Sequence, residues 1–204
     1  MPELPEVEVT RQGIDEPLRG ARIVDVRLGK ALRWPLGCRR DRLVGASVGP
    51  VLRRGKYLWL PIEREGQAAG GLLMHLGMSG SLALRPDGTG GRPAEPPGPH
   101  DHFDLVTDRG TLRLTDPRRF GAAVFSPGID QPPASTLLAR LGAEPFDTSF
   151  TAGQFHRLLR RRRAPIKAVL LAGDIVVGAG NIYACEALHQ AGIHPGTRAD
   201  RLSA

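Results

Sequence analysis

The sequence predicts an α+β fold with an amino-terminal helix, a β-rich domain and a smaller helical domain. Apolar residues follow a helical spacing at the start, short strand-like runs fill residues 21–125, and helical patterns return after residue 150. A chain of 204 residues is long enough for one substantial core and a smaller second unit. Hydrophobic residues make up 41% of it, so the composition is that of a globular protein.

The first helix is predicted over residues 3–18. Leu4, Val7 and Ile14 fall near one face of such a helix. Pro5 is tolerated because it lies in the first turn, where the backbone amide has no helical partner.

The β-rich region is predicted from short apolar runs bounded by Gly, Pro and Asp. No long helical period lies between them, which predicts a β-sandwich or barrel. The segment from Pro86 to Pro99 is rich in Pro and Gly, so we expect a long loop there. The predicted strands are Ile23 to Leu28, Tyr57 to Leu60, Leu72 to Leu76, Phe103 to Val106, Leu112 to Leu114 and Ala122 to Phe125.

The predicted domain bounds are residues 1–127 for the β domain and 151–204 for the helical domain, with residues 128–150 as a linker that contains a short helix. This division follows the change from strand-like runs to helical spacing. No internal repeat is apparent in the sequence.

Within the helical domain, specific residues predict where helices begin and end. Thr151 and Gln154 fit a capping box. Pro165 suits the first turn of the next helix. Asn181 can cap a third helix, and Gly192 can end it.

The charge and the cysteine content narrow the classes of function. The formal net charge of +7 favours a polyanionic partner, either nucleic acid or an anionic membrane surface. No apolar stretch approaches the roughly 18 residues of a membrane span, and no secretory signal is expected. Two distant cysteines, Cys38 and Cys185, suit a reducing cytoplasm and are too few for a zinc site built on several cysteines.

The amino terminus offers a reactive amine. Met1 precedes the small residue Pro2, and we expect its removal to expose a prolyl secondary amine. An α-amino group has a pKa of about 8, so roughly a tenth of it is neutral at neutral pH, far more than for lysine. Its place at a helix start disfavours the protonated form further. Attack of such an amine on an aldehydic carbon gives a cationic iminium.

Two carboxylates follow this amine. Glu3 and Glu6 are three residues apart and share a helix face, where one can act as a general acid. Acidic residues in a first turn also complement the helix dipole, and taken alone this structural explanation is the simpler one.

Further strings extend along the whole sequence. PELPEVE at the start is followed by RRGKYL, HLGMSGSL, HDHFDL, TDPRRFG, GAGNIYACEAL and AGIHP. In their order and spacing these strings resemble formamidopyrimidine-DNA glycosylases of the bacterial Fpg/MutM type. The related endonuclease VIII branch usually begins with a PEGPE-type string, so Leu4 favours the first branch.

The resemblance implies a bifunctional DNA glycosylase and AP lyase. Such an enzyme excises oxidised purines (8-oxoguanine and formamidopyrimidines) from duplex DNA in base excision repair. Pro2 matches the nucleophile that forms a Schiff base, and Glu3 matches the general acid. Glu6 matches the second carboxylate, and Lys56 matches the lysine that assists elimination and contacts a phosphate.

The resemblance also implies DNA contacts. Met78, Arg118 and Phe120 match the residues that fill the gap left by a flipped-out base. Core packing is the alternative explanation for Met78 and Phe120, but their polar neighbours favour loops. The further matches to DNA-contacting positions are His100, Arg119, Arg162, Lys167 and Asn181.

For the fold, the resemblance implies a two-sheet antiparallel β-sandwich followed by a helix–two-turns–helix domain. Family members continue with the rest of that domain and a zinc finger with four cysteines. Those cysteines are not among these 204 residues. We therefore expect a C-terminally truncated chain with a partial helix–two-turns–helix domain, without zinc and without any other cofactor.

The expected partner is damaged double-stranded DNA, bound by a monomer in the bacterial cytoplasm without membrane association. One alternative is a catalytically impaired remnant of the family that binds DNA without turnover. Another is a basic structural protein of a ribonucleoprotein, which would explain the charge but not the PELPEVE string.

Overall fold

The computed structural model describes residues 2–86 and 95–203. The chain divides into two compact units, Met1–Leu137 and Leu138–Ala204, and the division lies inside the predicted linker of residues 128–150. The predicted loop from Pro86 to Pro99 includes residues 87–94, which lie outside the described residues. In the part of the chain that is described, no helix combines the length and the apolar character needed to cross a membrane.

The first helix, α1, spans Leu4–Leu18. Its buried residues are Leu4, Val7, Ile14 and Leu18, so the predicted apolar face is the one that packs. Pro5 lies in the first turn, where its missing amide leaves no helical hydrogen bond unmade. One face of α1 therefore contributes to the core of the first unit.

Among the described residues of the first unit, nine strands follow α1. In chain order they are β1 (Ile23–Leu28), β2 (Ser47–Val48), β3 (Leu52–Arg54), β4 (Tyr57–Arg64), β5 (Gln67–His75), β6 (Ser81–Arg85), β7 (Asp101–Thr107), β8 (Gly110–Thr115) and β9 (Ala122–Ser126). The predicted strands all appear. The sequence missed β2 and β3, which have two and three residues, and β6, in which only three of five residues are apolar.

The strands form two antiparallel sheets, which confirms the two-sheet prediction. One sheet has the order β1-β7-β8-β6, and the other has the order β2-β4-β5-β9 with β3 paired to β4. Fully buried side chains from α1 and from both sheets form a single hydrophobic cluster that includes Leu18, Ile23, Leu60, Leu72 and Phe103. Burial of this apolar surface is the main source of stability.

A buried ion network crosses the first sheet. The carboxylate of Asp104, which is fully buried, accepts hydrogen bonds from Arg27 Nε at 2.7 Å and from Arg113 Nε at 3.0 Å. A second carboxylate, Asp101, lies 3.4 Å from Arg113 Nη1. The network ties β1, β7 and β8 together through charge rather than through apolar packing.

The helices outside α1 are α2 (Ala134–Leu138), α3 (Ala152–Leu159), α4 (Ile166–Ala172) and α5 (Asn181–Gln190). The second unit has its own apolar cluster, in which Leu159, Ile166, Val169, Ile175 and Leu188 are buried. The helical domain predicted from the sequence therefore has a core of its own.

The ends of these helices confirm some predictions and correct others. Thr151 Oγ1 accepts from the Gln154 amide at 3.2 Å, and Gln154 Oε1 accepts from the Thr151 amide at 2.8 Å, which confirms the capping box. Pro165 precedes α4 instead of lying in its first turn. Gly180, not Asn181, caps α5, because the extended backbone lies at the glycine and Asn181 is already helical.

Candidate active site

The amino terminus of α1 brings Pro2 and two carboxylates together. Pro2 is half-buried and directly precedes Glu3, the N-cap residue of the helix. Glu3 and Glu6 form a capping box in which Glu6 Oε2 accepts from the Glu3 amide at 2.9 Å. Glu3 is only 1% exposed, whereas Glu6 is exposed. One carboxylate is therefore shielded from water and the other is in contact with it.

Lys56 lies on a tight turn between β3 and β4. Arg54 pairs with Tyr57, so Gly55 and Lys56 form a two-residue hairpin loop. The first position of such a loop requires a positive φ, and Gly55 has a φ of 58°. The side chain of Lys56 is partly buried. Burial lowers its pKa, and the negative charge of Glu3 opposes that effect. Lys56 therefore lies within electrostatic range of the α1 amino terminus.

His75, at the end of β5, is a site residue that the sequence did not reveal. Its pKa is lowered to about 4, first by burial and then by the positive charges of Lys56 and Arg33. Its Nδ1 accepts a hydrogen bond from the Gly77 amide at 3.0 Å, so the proton of the neutral ring is on Nε2. The ring centroid lies 4.7 Å from that of Tyr57, the cross-strand partner. No local sequence pattern shows this arrangement, because it depends on strand pairing.

Asp116 joins two loops that carry predicted DNA-contacting residues. Its fully buried carboxylate accepts from Ser79 Oγ and from the Gly121 amide, each at 2.7 Å. Gly77 lies so close to the second loop that a Cβ there would be 2.5 Å from the Gly121 nitrogen. The loops at residues 76–80 and 117–121 are therefore held against each other. The Asp-Pro turn signal could have marked Asp116, although not its partner loop.

The predicted gap-filling residues project from these two loops. Met78 is 41% exposed and Phe120 is 44% exposed, so neither packs in the core. The Arg118 guanidinium lies 5.0 Å from the centre of the Phe120 ring, within the range of a cation–π contact. Two exposed apolar side chains and a cation thus lie on adjacent loops.

An open groove beside these loops is lined by Arg33, Arg118, Arg119 and Phe120. Arg119 has a left-handed backbone with φ of 58° and an exposed side chain. The exposed residue His100 lies close to Asp116, because its carbonyl accepts a hydrogen bond from the Asp116 amide at 2.8 Å. Arginines and an aromatic residue on one surface are typical of phosphate and base contacts. The sequence missed Arg33, because its place in the groove depends on how its loop folds.

The remaining predicted residues lie in the second unit. Arg162 is exposed and pairs with Asp174 at 2.7 Å. Lys167 is half-buried on α4, and Asn181 is the exposed first residue of α5. A helix start of this kind favours an anion such as a phosphate.

Metal-ligating side chains are not grouped together in the described part of the chain. The cysteines are Cys38 and Cys185, one in each unit. Among residues 2–86 and 95–203, no group of three or more His, Cys, Asp or Glu side chains is arranged to hold a metal ion. A zinc site with four cysteines cannot form from the two cysteines of these 204 residues.

Comparison with family models identifies both parts of the chain. The formamidopyrimidine-DNA glycosylase N-terminal domain matches residues 1–123. The formamidopyrimidine-DNA glycosylase H2TH domain matches residues 141–204. Together these matches cover most of the sequence.

Individual relatives of known name match the same family. The formamidopyrimidine-DNA glycosylases of Albidiferax ferrireducens and Variovorax paradoxus are each 56% identical over 203 residues, which is 100% of this chain and 71% of each relative. A Lactococcus lactis Fpg (MutM) in complex with DNA containing N7-benzyl-Fapy-dG superimposes with a TM-score of 0.86 at 31% identity, over 99% of this chain and 72% of that one. The same enzyme bound non-covalently to DNA with an AP site gives a TM-score of 0.85.

The fold, the site and these similarities define a DNA glycosylase of DNA repair. More specifically, the chain belongs to the formamidopyrimidine-DNA glycosylase family.

Proposed function

We propose that this protein excises oxidised purines from duplex DNA and then nicks the strand as an AP lyase. The observation that carries the proposal is that Pro2, at the start of α1, directly precedes the shielded Glu3, whose charge acts on the partly buried Lys56. These groups supply a nucleophile, an acid and a second amine within one site.

In the proposed first step, the Pro2 nitrogen attacks C1′ of the damaged nucleotide once Met1 has been removed. The bond from C1′ to the base breaks, and the base leaves with a proton supplied by an acid, for which Glu3 is the candidate. The sugar ring opens, and a cationic iminium links Pro2 to C1′. This cation withdraws electrons, so that C2′ can lose a proton.

In the proposed second step, loss of the C2′ proton expels the 3′ phosphate and cuts the strand. Lys56 suits a part in this elimination, because burial lowers its pKa and increases the fraction of neutral amine. Hydrolysis of the iminium then releases Pro2. Bonds and charges balance without an external oxidant or reductant.

The duplex substrate is proposed from the two loops held by Asp116. Extrusion of a base costs several kcal/mol of stacking and pairing, which inserted side chains offset in part. Met78 and Phe120 are exposed apolar groups suited to the vacated space, and Arg118 can donate to the orphaned cytosine. The net charge of +7 favours the DNA backbone.

The test is borohydride trapping on a duplex that carries 8-oxoguanine opposite cytosine. Reduction converts the iminium to a stable protein–DNA adduct, which we expect at Pro2. A Pro2→Gly variant supplies a primary amine with different reactivity, and we expect its trapping to fall steeply. An adduct at a lysine in the wild-type protein, or undiminished activity of Pro2→Gly, would contradict the mechanism.

A matched abasic duplex separates the proposal from its alternative. Trapping on the abasic duplex but not on the lesion duplex would limit the function to AP lyase. Failure to trap on both, with binding retained, would favour the DNA-binding protein without turnover.

A further inference from the structure

One polar side of α1 is attached to the strand that leads to Lys56. Asp15 Oδ1 accepts from the Val51 amide at 2.8 Å, and Arg11 Nη1 donates to the Val51 carbonyl at 3.4 Å. Closer to the amino terminus, Glu8 Oε2 accepts from Arg53 Nε at 2.9 Å. Three side chains at helical spacing thus hold α1 along β3.

Arg53 carries this attachment into the turn itself. While its Nε binds Glu8, its Nη1 donates to the Gly55 carbonyl at 3.0 Å. Gly55 is the residue directly before Lys56 in the two-residue hairpin loop. One guanidinium therefore connects the helix that begins at Pro2 with the turn that carries Lys56.

The Glu8–Arg53 pair is sheltered and keeps its charge. The side chains are 28% and 15% exposed, respectively. Hydrogen bonding with Arg11 is the largest influence that holds the pKa of Glu8 at about 2, with Arg53 adding to it against the effect of burial. Charge-assisted hydrogen bonds of this kind are short and directional, so they restrict the geometry of both partners.

We propose that Glu8 is a positioning residue that acts through Arg53 to set where the Lys56 amine lies relative to Pro2 and Glu3. The proposal rests on the proposed function, in which Lys56 assists elimination. The nucleophile and the assisting amine would then be held by one rigid helix. Rate depends steeply on such placement, and a misplacement of about 1 Å can cost on the order of a hundredfold.

The first test observes Lys56 in the free protein. The sequence has three lysines, Lys30, Lys56 and Lys167, so reductive methylation with ¹³C gives three dimethyl-lysine signals besides that of the amino terminus. We expect Glu8→Gln to raise the pKa of Lys56, because a released turn is better solvated and burial is the main cause of the lowered value. The signals of Lys30 and Lys167 should not move.

Arg53→Gln separates positioning from a simple effect of charge. Through its charge alone, loss of Glu8 would lower the pKa of Lys56, whereas loss of Arg53 would raise it. Release of the turn raises it in both variants. Opposite shifts, or an unchanged Lys56 signal, would overturn the proposal. Glu16→Gln, which makes the same charge change on the exposed side of α1, is the matched control.

The second test measures β-elimination on a preformed abasic duplex. We expect Glu8→Gln to slow this step on the order of tenfold, and to add no further loss in a Lys56→Ala background, since both changes then act on one group. Additive losses would show that Glu8 does not act through Lys56. If Glu8→Gln folds poorly, Glu8→Asp keeps the charge with a shorter reach and should give a smaller loss of rate.

The two proposals fail separately. A wild-type protein that neither traps nor cleaves, but whose Lys56 pKa rises in both Glu8→Gln and Arg53→Gln, would refute the proposed function and leave the positioning intact. An active protein whose Lys56 pKa does not change in Glu8→Gln would refute the positioning role and leave the proposed function intact.

Discussion

Asp104→Asn should destabilise the first unit strongly. The substitution keeps the shape of a side chain that is fully buried but removes its negative charge. Arg113, which is only 4% exposed, would keep its own charge and would have the Asp101 carboxylate at 3.4 Å in place of the Asp104 contact at 3.0 Å. Arg27 would also lose an ion pair of 2.7 Å.

The expected cost follows from that geometry. Removal of one partner from a buried ion pair costs about 3–5 kcal/mol, because the other charge is left in a low dielectric. A typical domain is stable by only about 5–15 kcal/mol, so the urea midpoint should fall clearly. Both tryptophans, Trp34 and Trp59, lie in the first unit, so their fluorescence reports on this unit.

A matched exposed pair provides the control. Asp41 pairs with Arg39 at 3.0 Å, but their side chains are 65% and 89% exposed. Asp41→Asn makes the same chemical change and should cost less than about 1 kcal/mol. If Asp104→Asn cost no more than Asp41→Asn, the reasoning from burial would be refuted.

Three further predictions concern single side chains. The pKa of Glu8 is about 2 in the folded protein against an ordinary 4.5, so its stabilising contribution is fully present above pH 4.5 and is lost as the pH falls towards 2. The free energy of unfolding of Glu8→Gln, measured in urea, should therefore depend less on pH in that window than that of the wild-type protein. An unchanged pH dependence would contradict this prediction. His75 should titrate by NMR with a pKa of about 4. Lys56→Ala should raise that pKa, because the substitution removes a nearby positive charge. A wild-type pKa near 6.5 would show that the ring is solvated. Met78→Ala and Phe120→Ala should each change the free energy of unfolding by about 0.5 kcal/mol or less, because the side chains are 41% and 44% exposed. Both substitutions should weaken the affinity for lesion-containing duplex DNA. A large loss of stability would indicate core packing instead.

Local patterns were sufficient to predict much of the fold. The apolar spacing of α1 identified Leu4, Val7 and Ile14, and all three are buried. Strands with four or more apolar or β-branched residues were also predicted, whereas β2 and β3, with two and three residues, were missed. Such short strands exist because neighbouring strands pair with them, and this cannot be inferred from their own residues.

The candidate site was predicted less completely. Motif resemblance selected Pro2, Glu3 and Lys56, and the structure places Lys56 within the electrostatic influence of Glu3. His75 and Asp116 were missed because their environments come from paired strands and packed loops. Residue type alone does not show that one has a pKa of about 4 and that the other is fully buried.

The sequence by itself determined the elements with a regular period and the chemical groups available, because spacing and side-chain chemistry are local properties. The tertiary structure alone decided which of two nearby glutamates is shielded, that burial lowers the pKa of Lys56, and that Arg53 reaches Glu8 across a separation of 45 residues. Desolvation and long-range ion pairing depend on neighbours that only folding brings together.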